Sequence, residues 1–303
     1  MLLNFIVTVI LSFYIASCAE INSHPDILNV VDIEKKQDVL IPAIDKNTFR
    51  PIIANDAQYR KRLPVVCLVF GPGLNRTFLY SSIIKAFEDE SIDIHMMTGF
   101  GLGLVYAGLL ASSQNSKKIE WNTYKYLEQE KNDVFSRDWQ QGLEQYLYKN
   151  IKQKKIQNFT KSFFVPHFNM QTDSVTYLKK GYFGDIFRKY AFSNNYRVFP
   201  SNVYNVANLR KLGADIIIGI DLLGTSISFI NASGFLVGQY GKALSMQLKH
   251  TDQFDHIIHV PVEKMPLDEF KKLDVFFQKS YEFTRNELKM VKDKITNWNR
   301  SDL

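Results

Sequence analysis

Gly99-Phe100-Gly101-Leu102-Gly103 alternates glycine with a large apolar residue, between the apolar run Ile92–Thr98 and the small-residue segment Leu104–Ala111. The first flank reads as a strand and the second as a helix, with the glycines forming a sharp turn between them. A turn of this kind is the frame of a nucleophile elbow. Its outer glycines relieve crowding, and the central side chain projects at a helix N-terminus, where backbone N–H groups can hold an oxyanion. Here the central position is Gly101, which has no side chain to project.

Upstream, Val65–Phe70 is a continuous apolar run that ends in Gly71-Pro72-Gly73, the pattern of a buried parallel strand followed by a turn. Ser81–Glu90 reads as a helix with Ile83, Ile84 and Phe87 on one side. Strand, helix, strand, glycine turn and helix in close succession predict a βαβ unit in a parallel sheet. Downstream, 119–195 is aromatic and polar, with a helical stretch over Asp138–Ile151. Lys211–Asp215 closes a helix, Ile216–Leu222 and His256–Val260 read as two further buried strands, and the tail from Pro266 as a long amphipathic helix. The expected fold class is therefore α/β, with a mostly parallel central sheet flanked by helices.

The 303 residues suit one sizeable domain. A 46% hydrophobic and 22% charged composition excludes a disordered chain. Twenty-three Phe and fifteen Tyr either fill a core or furnish a surface that meets apolar material. The net charge of +6 is concentrated in part at Lys149-Asn150-Ile151-Lys152-Gln153-Lys154-Lys155, which reads as a solvated face or as a contact for anionic lipid headgroups. No zinc-finger spacing, RNP-like motif or arginine-rich arm accompanies the charge, so nucleic acid is not expected as a partner.

Residues 1–17 carry no charged side chain and are mostly apolar, too short for a comfortable membrane span and suited to a signal peptide. The run ends in Ile15-Ala16-Ser17-Cys18, which resembles the bacterial lipobox, although no Lys or Arg opens the segment. That resemblance implies acylation of Cys18 and a lipid anchor at the mature N-terminus; an ordinary secretory signal cleaved nearby is the alternative. Residues 18–62, with scattered prolines, read as a tether or packed arm, and 63–303 as the folded domain. Cys67 lies within the first apolar strand, so neither a disulfide framework nor a metal cluster is expected, and no cofactor.

Taken together, these segments resemble the patatin-like phospholipase family. Val65–Phe70 is similar to its first strand, Pro72-Gly73-Leu74-Asn75-Arg76-Thr77 to its oxyanion loop, Ile83–Glu90 to its helix and Gly99–Gly103 to its Gly-x-Ser-x-Gly elbow. Further on, Gly181–Ser201 resembles a stretch ending in Phe-Pro (here Phe199-Pro200). Asn208–Leu222 resembles a Leu-Gly-Ala-Asp segment with its strand, and Asp255–Leu288 the last strand and helix. The likeness spans about residues 63–295 and implies a patatin-like three-layer fold.

The family's chemistry, a Ser–Asp dyad acting on acyl esters, meets three departures here. Gly101 stands at the serine position. No Asp in the chain is followed by Gly, and the place expected for the dyad aspartate falls near Arg197. In the oxyanion loop Gly73 and Arg76 remain, but Pro72 lacks an N–H and Leu74 replaces a glycine. With nucleophile and partner both absent, rescue by a bound water is not expected.

Other candidates are weaker. Gly224-Thr225-Ser226-Ile227-Ser228 lacks the final glycine of an elbow; His95 reads as a core or sheet-edge residue; and His256 and His259 face opposite sides of a strand. Asp221 matches an Asp common at that strand end in the family, where a structural role is expected. Gly71-x-Gly73 lacks the third glycine of a dinucleotide fingerprint. The expected function is that of a catalytically inactive, patatin-like lipoprotein of a bacterial cell envelope that binds a lipid or protein partner in the remnant cleft. Ala19 after Cys18 favours the outer membrane. The alternative is an active lipid acyl hydrolase with a displaced nucleophile such as Ser226.

Overall fold

In a computed structural model of the chain, the residues described are 63–129, 136–169, 174–191, 206–230, 251–268 and 273–298. The chain divides into two units, Met1–Lys61 and Arg62–Leu303, and all of the described residues belong to the second. The signal segment, Cys18, Arg197 and Phe199-Pro200 lie outside the described residues.

Six strands form one sheet: β1 (Val66–Phe70), β2 (Met96–Gly99), β3 (Ser162–Asn169), β4 (Ser174–Leu178), β5 (Ile216–Asp221) and β6 (His256–His259). Their order is β4-β3-β2-β1-β5-β6, and every pairing is parallel except β3 with β4. β1 and β5 are buried along their whole length, as the apolar runs Val66–Phe70 and Ile216–Ile220 suit central strands covered on both faces. The α/β expectation therefore holds.

Seven α-helices accompany the sheet among the described residues: α1 (Tyr80–Asp89), α2 (Gly103–Ala111), α3 (Ser116–Gln129), α4 (Arg137–Gly142), α5 (Phe183–Ala191), α6 (Ala207–Lys211) and α7 (Leu273–Asn297). α2 carries no polar face and is buried at every residue, so it can exist only beneath other helices. α4 begins at Ser136, whose side chain accepts the Trp139 N–H at 3.1 Å, and continues into a wider turn over Leu143–Tyr148.

One face of the sheet packs on the larger core, which takes in α1, α2 and α7; the other packs on a smaller cluster around Cys67, Val69, Ile217 and α6 residue Leu209. Within the larger core, Tyr148, Phe163, Phe183 and Phe187 interlock edge-on or stacked at ring separations of 4.8 to 6.0 Å. Many of the surplus aromatics are thus core residues. Burial raises the Cys67 thiol far above its ordinary pKa, so it stays protonated and unreactive.

Several element boundaries differ from the sequence reading. The strand expected over Ile92–Thr98 begins only at Met96, because Ser91 turns the chain at φ +55° and Ile92 N–H bonds back to Phe87. The helix expected over Asp138–Ile151 loses its regular form after Gly142. The β3–β4 hairpin and α3 were not separated from the aromatic middle section, where no clean period stands out.

Candidate functional site

The parallel strands end together at one edge of the sheet, where β1, β2 and β5 release Gly71–Arg76, Phe100–Leu102 and Leu222–Gly224. Parallel α/β sheets place their ligands at this carboxyl edge, beside the point where strand order reverses. Here the reversal lies at β1, with β2 on one side and β5 on the other.

The elbow is built as its glycines predict. Gly99 pairs with Phe70, and Phe100 N–H bonds to Phe70 O at 2.9 Å. The turn closes through Gly103 N–H to Phe100 O at 3.0 Å and Leu104 N–H to Gly101 O at 3.1 Å. A Cβ on Gly99 would stand 2.7 Å from the Gly103 carbonyl carbon, and one on Gly103 would stand 2.6 Å from Gly71 O. Strand, helix and neighbouring strand therefore meet backbone to backbone, which only glycine allows. Gly101 sits at the apex, half-buried and at φ +56°, a left-handed conformation that glycine adopts freely. The position that would aim a side chain aims none.

The neighbouring loop keeps a glycine-type backbone without the glycine. Leu74 is buried at φ +46°, a conformation a γ-branched residue adopts only at a cost. Asn75 N–H bonds to Leu267 O at 2.9 Å and fixes the loop from behind.

Arg76 is fully buried, and its guanidinium donates through Nε to Met265 O at 2.7 Å. Nη1 donates to Leu222 O at 3.1 Å and Leu223 O at 2.7 Å. Burial draws its pKa down to about 10, against the opposing pull of Glu263 and Asp221, so the group remains a cation at neutral pH. Arg76 thus ties the loop after β1 to the chain after β5 across the reversal point. It acts as a structural clasp. Among the described residues, Asn75 Nδ2 and Oδ1, Arg76 Nη2 and Thr98 Oγ1 are buried without a protein partner.

One constellation was not found from the sequence. Asp221 and His259 are register partners at the ends of β5 and β6, and His259 Nδ1 lies 2.8 Å from Asp221 Oδ2. Asp221 is buried and its other oxygen accepts Leu223 N–H at 2.7 Å and Gly224 N–H at 3.3 Å. The Asp221 hydrogen bond raises the His259 pKa above its ordinary value, more than partial burial lowers it. The available signal was that both strands end in a titratable residue. His256 faces the other way and meets Glu287 Oε2 at 3.2 Å, as strand alternation requires. His95 accepts Val66 N–H at Nδ1 (3.2 Å) and serves the sheet backbone. Ser226 is exposed in the loop after β5, and the site holds no group of three or more His, Cys, Asp or Glu able to bind a metal among the described residues.

No family model matches the sequence, and no curated protein matches it. Among solved structures the chain is similar to the crystal structure of type III effector protein ExoU, at 10% identity and a TM-score of 0.42, over 76% of this chain and 54% of that one. It is also similar to the heterodimeric ExoU–SpcU complex from the type III secretion system of Pseudomonas aeruginosa, at 13% identity and a TM-score of 0.37, over 76% of this chain and 52% of that one. The chain spans about half the length of each of these proteins.

Proposed function

We propose that this chain is a patatin-like protein of the cell envelope, tethered through Cys18, which has lost serine-hydrolase chemistry and binds a lipid or protein partner at the carboxyl edge of its sheet. The observation that carries the reading is Gly101: a sharp elbow, held by close contacts at Gly99 and Gly103, with no side chain at its apex. The elbow resembles the family's most distinctive element, and a scaffold kept without its nucleophile suits recognition better than turnover. Arg76 supports this, because it clasps the loop that would otherwise stabilise an oxyanion.

Lipid extraction of the purified full chain, with mass spectrometry run beside an ester-hydrolysis assay, tests the proposal. Specific co-purified lipid, or a retained protein partner, with no hydrolysis supports it. Hydrolysis of p-nitrophenyl esters above the buffer rate overturns it.

A second reading has one observation in its favour. Asp221–His259 is an oriented carboxylate–imidazole pair of the type that activates nucleophiles, and Ser226 follows Asp221 by five residues. In that reading Ser226 is a displaced nucleophile of a lipid acyl hydrolase. Ester hydrolysis that disappears in both Ser226→Ala and His259→Gln would establish it.

A further inference from the structure

The edge of the sheet opposite the elbow gathers lysines from two separate stretches of sequence. Lys161 N–H bonds to Ala111 O at 3.1 Å, which joins the end of α2 to the start of β3 at the amino-terminal edge of the parallel strands. The chain just before this point carries Lys149, Lys152, Lys154 and Lys155; the chain leaving β4 carries Lys179 and Lys180. These two stretches are held together by backbone bonds from Ile156 N–H to Gly181 O, Phe183 N–H to Lys154 O and Gly184 N–H to Lys152 O, each 2.9 Å. Gly184 eases this approach, since a Cβ there would stand 2.5 Å from Lys152 Cγ and 3.0 Å from Lys152 O.

Tyr182 lies in the middle, 44% exposed, with Lys155 Nζ 5.5 Å from its ring centroid. Lys152 pairs with Glu144, which Arg188 Nη2 also approaches at 3.8 Å, and Asp185 is the other acidic residue of these stretches. Lys149, Lys154, Lys155, Lys179 and Lys180 have no carboxylate partner among the described residues. Five ammonium groups without a carboxylate partner stand on these adjoining stretches, Lys155 against Tyr182 and Lys179 over the Phe164 ring at 5.8 Å from its centroid, and an anionic surface relieves their mutual repulsion.

We propose that these five lysines and Tyr182 form a docking surface for an anionic phospholipid bilayer. The charges are compact ammonium groups on flexible stems, which suit phosphate headgroups spread over a plane, and the guanidinium fork favoured for base and phosphodiester recognition is absent from the unpaired set. Tyrosine, apolar in body and polar at its tip, suits the headgroup layer. The inference is independent of how the elbow is read.

The test uses the chain from residue 18 carrying Cys18→Ser, so that neither the apolar segment 1–17 nor an acyl anchor contributes, in co-sedimentation with mixed phosphatidylglycerol–phosphatidylcholine vesicles and with pure phosphatidylcholine vesicles. Binding is expected to the anionic vesicles only and to fall with added salt. Lys154→Gln/Lys155→Gln should weaken it about 25-fold, at roughly fivefold per lysine. Lys264→Gln, at an exposed position beyond β6 on the carboxyl edge, should leave it unchanged. All of these positions are exposed, so thermal melts should match the parent. Equal binding to neutral vesicles, undiminished binding by the Lys154/Lys155 variant, or retention of an oligonucleotide in place of vesicles would overturn the proposal.

Discussion

Replacing Arg76 by methionine tests whether this residue is a clasp. Methionine approximates the length of arginine and removes every donor. The Nε and Nη1 bonds to the carbonyls of Met265, Leu222 and Leu223, at 2.7 to 3.1 Å, would all be lost inside the protein. Charge-assisted bonds contribute about 1.5 kcal/mol each, or about 4.5 kcal/mol for three. Burial, which draws the Arg76 pKa down to about 10, makes the cation costly and offsets part of this, while the three buried carbonyls left without a donor add to it. The expected loss is about 3–4 kcal/mol, read as a shift of the urea midpoint at constant m-value. Arg76→Lys should lose less, since an ammonium retains part of the bonding. A loss below about 1 kcal/mol in the methionine variant would refute the clasp and return Arg76 to a site role.

Three further outcomes follow from the same geometry. Gly103→Ala places a methyl 2.6 Å from Gly71 O and 2.8 Å from Phe70 O, so thermal or chemical melts should show a loss of about 2–3 kcal/mol; no change would mean the elbow is looser than described. Gly101→Ser puts a side chain at φ +56° and should cost about 1 kcal/mol without creating esterase activity, because the sequence has no Asp-Gly loop to supply the dyad aspartate; measurable turnover would contradict this. Since Asp221 raises the His259 pKa, the stability this pair contributes is fully present below about pH 6.5 and is lost as pH rises through the folded-state value. His259→Gln should therefore destabilise more at acidic than at alkaline pH, and a penalty that grows toward alkaline pH would show the opposite linkage.

The elbow was legible because three alternating glycines between an apolar strand and a small-residue helix leave few backbone solutions, and Gly99, Gly101 and Gly103 each serve one of them. The buried strands β1 and β5 were legible for the same physical reason: runs as apolar as Val66–Phe70 and Ile216–Ile220 suit a sheet covered on both faces. The β3–β4 hairpin was not, because Ser162–Asn169 mixes Pro166, His167 and aromatics without strict alternation and depends on its neighbours. Arg76 as a clasp was also hidden. Its acceptors lie 146 to 189 residues away, and a motif comparison marks the position without saying what the guanidinium touches. The Asp221–His259 pair needed the β5–β6 register, which single-strand patterns do not supply.

The central claim, that a built elbow presents no nucleophile, is tested most directly by treating the folded full chain with a fluorophosphonate probe and reading labelled peptides by mass spectrometry. The account predicts no specifically labelled serine, either in native protein or in Gly101→Ala. Stoichiometric labelling of one serine, abolished by heat denaturation, would contradict it, and Ser226 as the labelled residue would establish the displaced-nucleophile reading instead.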